Sequence, residues 1–264
     1  MKKILFLGAG SEKDPGFEPC YDKAQMKQRG IAVIDTVIES CHGCPDLMSK
    51  YSSQLQSLVD EGHRVVAVLE GGLYFALPSI QATQTTFPII SCPLDIVAYQ
   101  AFMVPPGHAA IATVGVEASS GVFQRARAID LATRILELKS DSVFTDSPLV
   151  KEEMEKYGIN GSMATEGSQG LFLTFDSEPR YLNDLLPIWA DKSSEKTAKH
   201  IDKLRNVIGS CEFPTLQVHG AQNLAIYAAK ILSLSNPDLR AKIKLIAQKK
   251  RDTYKERDIL NEVP

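Results

Sequence analysis

The chain has 264 residues, 44% hydrophobic and 23% charged, a balance that supports a packed core and excludes a disordered polypeptide. A formal net charge of -3 and a pI near 6.0 supply no field for a polyanion, so no nucleic-acid partner is expected, whereas a small anion held by local backbone amides remains compatible. No segment approaches the roughly 18 uninterrupted apolar residues of a membrane helix, and five cysteines without regular spacing form no disulfide framework; the expectation is a cytoplasmic protein with no membrane association and no metal or cofactor.

Lys2 and Lys3 ahead of Ile4–Leu7 have the outline of a signal peptide, but the apolar run stops at Gly8 with Glu12 and Asp14 close behind, which reads as a first strand. That strand opens onto Gly8-Ala9-Gly10-Ser11, a glycine-rich loop. Ile31–Ile38, rich in β-branched residues, predicts a second strand. Pro45-Asp46 then starts a helix through Met48, Tyr51, Leu55 and Leu58. Arg64–Leu69 predicts a third strand ending at Gly71-Gly72, Pro78 opens a helix through Ile80 toward Thr83, and Pro88–Ile90 and Ala110–Val114 supply two short strands. Strands alternating with helices predict a flavodoxin-like three-layer α/β sandwich around a central parallel sheet, which binds ligands at the carboxyl ends of its strands.

The middle of the chain reads differently. A helical stretch through Ile129, Leu131 and Leu136 gives way to turn-rich sequence broken by Gly158, Gly161, Gly167 and Gly170, so 118–213 is expected to be an insertion or small subdomain within a core formed by 1–117 and 214–264. Strong helix returns in Asn223–Leu234, apolar on several sides, and in Asp238–Leu260, whose Lys249-Lys250-Arg251 run reads as a solvated face. Ala132-Thr133-Arg134-Ile135-Leu136 echoes Ala228-Ala229-Lys230-Ile231-Leu232, as two helices with similar packing needs would.

Several loops carry plausible chemistry. Gly10 and Ser11 at a strand end offer amides and a hydroxyl to a phosphate, and Asp14 offers a carboxylate to ribose hydroxyls; a tight strand-to-helix turn is the plainer reading of the same residues. His42, between a strand and a proline-started helix, suits proton transfer near neutral pH, although a lone loop histidine is more often a polar surface residue. Cys41-His42-Gly43-Cys44 is also a Cys-x-x-Cys at a helix start, a spacing suited to thiol–disulfide exchange. Cys92 in an apolar strand end reads as a structural thiol.

Taken in order, Gly10-Ser11-Glu12-Lys13-Asp14, Ser40-Cys41-His42-Gly43-Cys44-Pro45, Gly71-Gly72 running to Ala76-Leu77-Pro78, Phe87-Pro88-Ile89-Ile90-Ser91-Cys92-Pro93, Pro105-Pro106-Gly107, Ala112-Thr113-Val114 and Gln222-Asn223-Leu224-Ala225 through Leu232 resemble the successive motifs of the PurE family. These are the mutases and carboxylases that act on aminoimidazole ribonucleotides in purine biosynthesis. The resemblance implies a homo-oligomeric isomerase or lyase that needs no cofactor. It further implies a ribonucleotide bound at Gly10, Ser11, Asp14, Ser40, Gly71, Gly72 and Leu77, with His42 as general acid and base at the imidazole carbon. Gly43 stands where the family has an arginine and Ala76 where it has a histidine; His108, Arg125 and Arg127 are the available substitutes. Two other readings are a nucleotide-binding regulator of the same fold and the thiol redox protein.

Overall fold

The structure, a computed structural model, describes residues 1–38, 44–72, 76–99, 103, 109–116, 121–182, 184–193, 195, 197–211 and 213–255. Its first half runs β1 (Lys3–Ala9), α1 (Lys23–Gln28), β2 (Ile31–Val37), α2 (Pro45–Asp60), β3 (Arg64–Gly71), α3 (Leu77–Gln84), β4 (Ile89–Pro93), α4 (Ile96–Tyr99) and β5 (Ala112–Thr113). Then come α5 (Val122–Glu137), β6 (Val143–Phe144), α6 (Pro148–Glu155), β7 (Gly161–Ser162), β8 (Gly170–Phe175), β9 (Leu185–Ala190), α7 (Ala198–Gly209), β10 (Leu216–Gln217), α8 (Gly220–Leu232) and α9 (Pro237–Lys255).

Local chemistry accounts for the elements. In α2, Pro45 opens the helix and Met48, Ser52, Leu55 and Val59 make one buried stripe. The side chains of Asp22, Ser147 and Thr197 cap α1, α6 and α7 by accepting backbone N–H bonds. β3, an inner strand, is buried throughout, and β2, at the edge of the sheet, is not. Among the described residues the strands form one ten-stranded sheet in the order β2-β1-β3-β4-β5-β10-β9-β8-β6-β7, flanked by helices in a three-layer, flavodoxin-like α/β architecture. The sheet is parallel except at one seam, where β10 pairs antiparallel with β5 through Gln217 and Thr113.

The stretch 118–213, expected to be an insertion or small subdomain, supplies β6 to β9 of this sheet. Read inward from the two edges, β2-β1-β3-β4-β5 and β7-β6-β8-β9-β10 follow the same order. The helix after each run matches too: α5 packs on β1, β3 and β4, and α8 packs on β8 and β9. The echo between Ala132–Leu136 and Ala228–Leu232 therefore falls on corresponding helices. Its two basic residues do corresponding work across the seam. Arg134 Nη2 donates to the carbonyl of Leu185 at the start of β9 (3.0 Å), and Lys230 Nζ donates to the carbonyl of Ala82 in α3, ahead of β4 (3.4 Å). Buried Tyr99 on α4 adds a tie by donating its hydroxyl to Gln217 Oε1 on β10 (2.6 Å).

Lys230 has no solvent exposure, and burial pulls its pKa from 10.5 down to about 7. Between about pH 7 and 10.5 the unfolded chain holds more protons than the folded one at this residue, so stability rises with pH through that window, and the cost of the buried ammonium is felt in full below it. Lys230→Met is expected to stabilise the protein by about 1–4 kcal/mol at pH 6, with the gain shrinking as the pH rises. Thermal melts at pH 6 and pH 9.5 check this, and an equal gain at both would contradict it.

Candidate functional site

The first half of the sheet has its topological switch point between β1 and β3, since the chain leaves β1 for β2 on one side and returns to β3 on the other. The loops leaving these two strands meet. The Gly10 amide donates to the Glu70 carbonyl (2.9 Å), and a Cβ on Gly10 would lie 3.2 Å from that oxygen and 3.7 Å from Gly71 Cα, so a side chain here would crowd backbone. The loop then closes on itself: Ser11 N–H donates to Asp14 Oδ2 (2.8 Å) and Asp14 N–H to the Ser11 carbonyl (3.1 Å). The amides of Gly10 and Ser11 are thus spent inside the protein. The Ser11 hydroxyl, Asp14 Oδ1 and the exposed Lys13 carry the polar chemistry of this rim.

Beneath the loop lies a carboxylate that the sequence reading missed. Glu70 is completely buried at the end of β3; its Oε1 accepts the Gly16 amide (2.7 Å) and its Oε2 faces Arg125 Nη1 (3.3 Å), a guanidinium that is itself 2% exposed. Burial pushes the Glu70 carboxyl up, while the Gly16 amide and the Arg125 charge pull it back. Arg125 reaches this position from the first turn of α5, whose preceding residue, Gly121, has φ +68° and sits where a Cβ would come within 3.2 Å of Arg125 Nη1. A second missed residue is Asp95. The Leu94 amide donates to the Gly71 carbonyl (2.9 Å), which places Asp95 beside the glycine loop. Its Oδ1 accepts the Ala98 amide (2.7 Å), and its Oδ2 would be 3.2 Å from a Cβ on Gly72.

The expected site residues therefore divide. Gly10, Ser11, Asp14, Gly71 and Gly72 converge at the carboxyl ends of β1 and β3, joined by Asp95 from the end of β4. Leu77, the first residue of α3, has its side chain in the core at 2% exposure, so only its backbone is available to a ligand. Ser40, His42, Cys41, Gly43 and His108 lie outside the described residues. Of the two arginines weighed as substitutes, Arg125 lies at the glycine loop, whereas Arg127 turns to the carbonyls of Ile208 and Phe213 near the seam. Cys44, the other half of the Cys-x-x-Cys, is exposed immediately before α2. Burial pushes the Cys92 thiol well up and keeps it protonated. Among the described residues no His, Cys, Asp and Glu side chains cluster in a way that would hold a metal ion, and no helix is long and apolar enough to cross a membrane.

Removing Arg125 alone strands a buried charge, so Arg125→Leu is expected to cost about 3–5 kcal/mol. Glu70→Gln with Arg125→Leu keeps an acceptor for Gly16 and abolishes the charge, and the double variant is expected to be more stable than Arg125→Leu alone. Urea denaturation of the two single variants and the double variant measures the coupling; strictly additive losses would contradict the ion pair's role. In comparisons with known proteins, no family model matches the chain and no curated protein matches it.

Proposed function

We propose that the protein binds a ribonucleotide across the ends of β1, β3 and β4 and acts on it as a PurE-like enzyme, moving or removing a carboxyl group on an aminoimidazole ring. The observation that supports this best is the meeting of Gly10-Ser11, Asp14, Gly71-Gly72 and Asp95 at the switch point, the place where open α/β sheets take nucleotides. In this reading the Ser11 hydroxyl and Lys13 hold the phosphate, since the first two loop amides are already engaged. The carboxylates of Asp14 and Asp95 accept from ribose hydroxyls. Arg125, locked to Glu70, holds the floor of the loop and is a positioning residue. His42 takes and returns the proton at the imidazole carbon, an assignment that rests on the sequence motif Ser40–Pro45. Assembly into a homo-oligomer in the cytoplasm belongs to the same proposal.

Two measurements separate binding from chemistry. Carboxyaminoimidazole ribonucleotide at about 100 times its dissociation constant is expected to stabilise the protein by about 2.7 kcal/mol in a thermal-shift assay, and Asp14→Asn is expected to weaken that binding at least tenfold. His42→Asn is expected to leave binding within a few-fold and to lower turnover by about 10²–10⁴, the usual contribution of a general acid and base. Binding without turnover in the parent protein would favour the regulator, whereas loss of activity in Cys41→Ser with Cys44→Ser and not in His42→Asn would favour the thiol protein.

A further inference from the structure

A separate cavity of about 470 Å³ opens between the first turn of α5 and the last turn of α7, beside the carboxyl end of β5. This is within the size range of small-molecule sites, about 300–1,000 Å³. Val114, Val116 and Phe123 give it an apolar wall, and Phe123 is 67% exposed although it is a large hydrophobic residue. Arg127 and Arg205 give it a cationic one. The two arginines differ in circumstance. Arg127 is 7% exposed, donates to the carbonyls of Ile208 (3.3 Å) and Phe213 (2.9 Å), and leaves its Nε without a partner. Among the described residues it makes no ion pair with a carboxylate, so its charge is buried against two carbonyl dipoles and the Cys211 and Tyr181 side chains, an arrangement that a carboxylate or phosphate stabilises. Arg205 lines the cavity from α7, and among the described residues its carboxylate contact is a long, exposed one to Asp202 (3.8 Å). The α5 end of the cavity adds the positive pole of a 16-residue helix whose N-cap, Gly121, has no side chain to satisfy the first amides. We propose that this cavity binds a small organic anion, a carboxylate or phosphate monoester carried on an apolar body, with Arg205 closing on the charged head and Phe123 packing on the body.

The site is distinct from the ribonucleotide cleft in the residues it uses, and the experiment keeps the two apart. Phenyl phosphate and phenylacetate are titrated by calorimetry into the whole protein, with inorganic phosphate and benzyl alcohol as controls for the apolar body and the charge. The expected result is saturable binding of at least one aromatic anion, with both controls at least tenfold weaker. Arg205→Gln and Phe123→Ser, both surface changes, should each weaken that binding at least tenfold, and Asp14→Asn should leave it unchanged. Whichever of the two aromatic anions binds more tightly identifies the head group. Failure of both to bind saturably, or binding that Arg205→Gln leaves intact, would overturn the proposal, as would binding lost in Asp14→Asn, because the anion would then sit in the strand-end cleft.

Discussion

A carboxylate with no access to water has to be compensated where it stands, and Glu70 imposes that requirement at the end of β3. Its two oxygens draw in the Gly16 amide from one side and the Arg125 guanidinium from the other. The first contact folds the loop after β1 back over β3, and the second fixes the first turn of α5 beneath that loop. Gln124, the neighbour of Arg125, donates from the same turn to the carbonyls of Pro93 and Gly115, at the ends of β4 and just beyond β5. One helical turn therefore sets the relative positions of four strand ends. Both the cleft at the ends of β1, β3 and β4, where a ribonucleotide is proposed to bind, and the cavity beside β5 are built on that turn.

The wider frame rests on two half-sheets of identical strand order meeting at a short antiparallel seam. With one residue pair linking β5 to β10, ladder hydrogen bonds contribute little there, and side chains carry the junction. Arg134 and Lys230 cross it in opposite directions from corresponding helices, and Tyr99 and Arg127 cross it between them. The two crossings are unequal. Lys230 is fully buried with one long bond among the described residues, and burial penalises its charged form.

The first half was legible because its signals are local. β1 and β3 are apolar runs cut off by glycines, and α2 announces itself with Pro45 and a buried stripe. In the second half the same fold is written less plainly. β8 and β9 are buried apolar strands, but three glycines precede the first, a fourth opens it, and Pro187 sits inside the second, where it pairs with Phe172; turn-forming residues masked the period that would have identified them. The echo between α5 and α8 was visible in the sequence, and its meaning appears only once both helices are seen closing runs of the same order. Glu70 had a signal of its own, a charged residue between the Val, Ala and Leu run of β3 and the Gly71 that ends the strand. Asp95 had none, because its place depends on the approach of the β4 and β3 loops. Nor does sequence reveal that the Ser11 amide is occupied by Asp14, since that bond depends on how the loop turns.

The central claim is that the loops after β1, β3 and β4 form one ribonucleotide cleft. Amide NMR of the whole protein titrated with carboxyaminoimidazole ribonucleotide tests it most directly. The account predicts saturable shifts at Gly10, Ser11, Asp14, Gly71, Gly72 and Asp95, with the ends of β6, β8 and β9 unmoved. Shifts confined to the second half, or none at these six positions at saturating ligand, would contradict it.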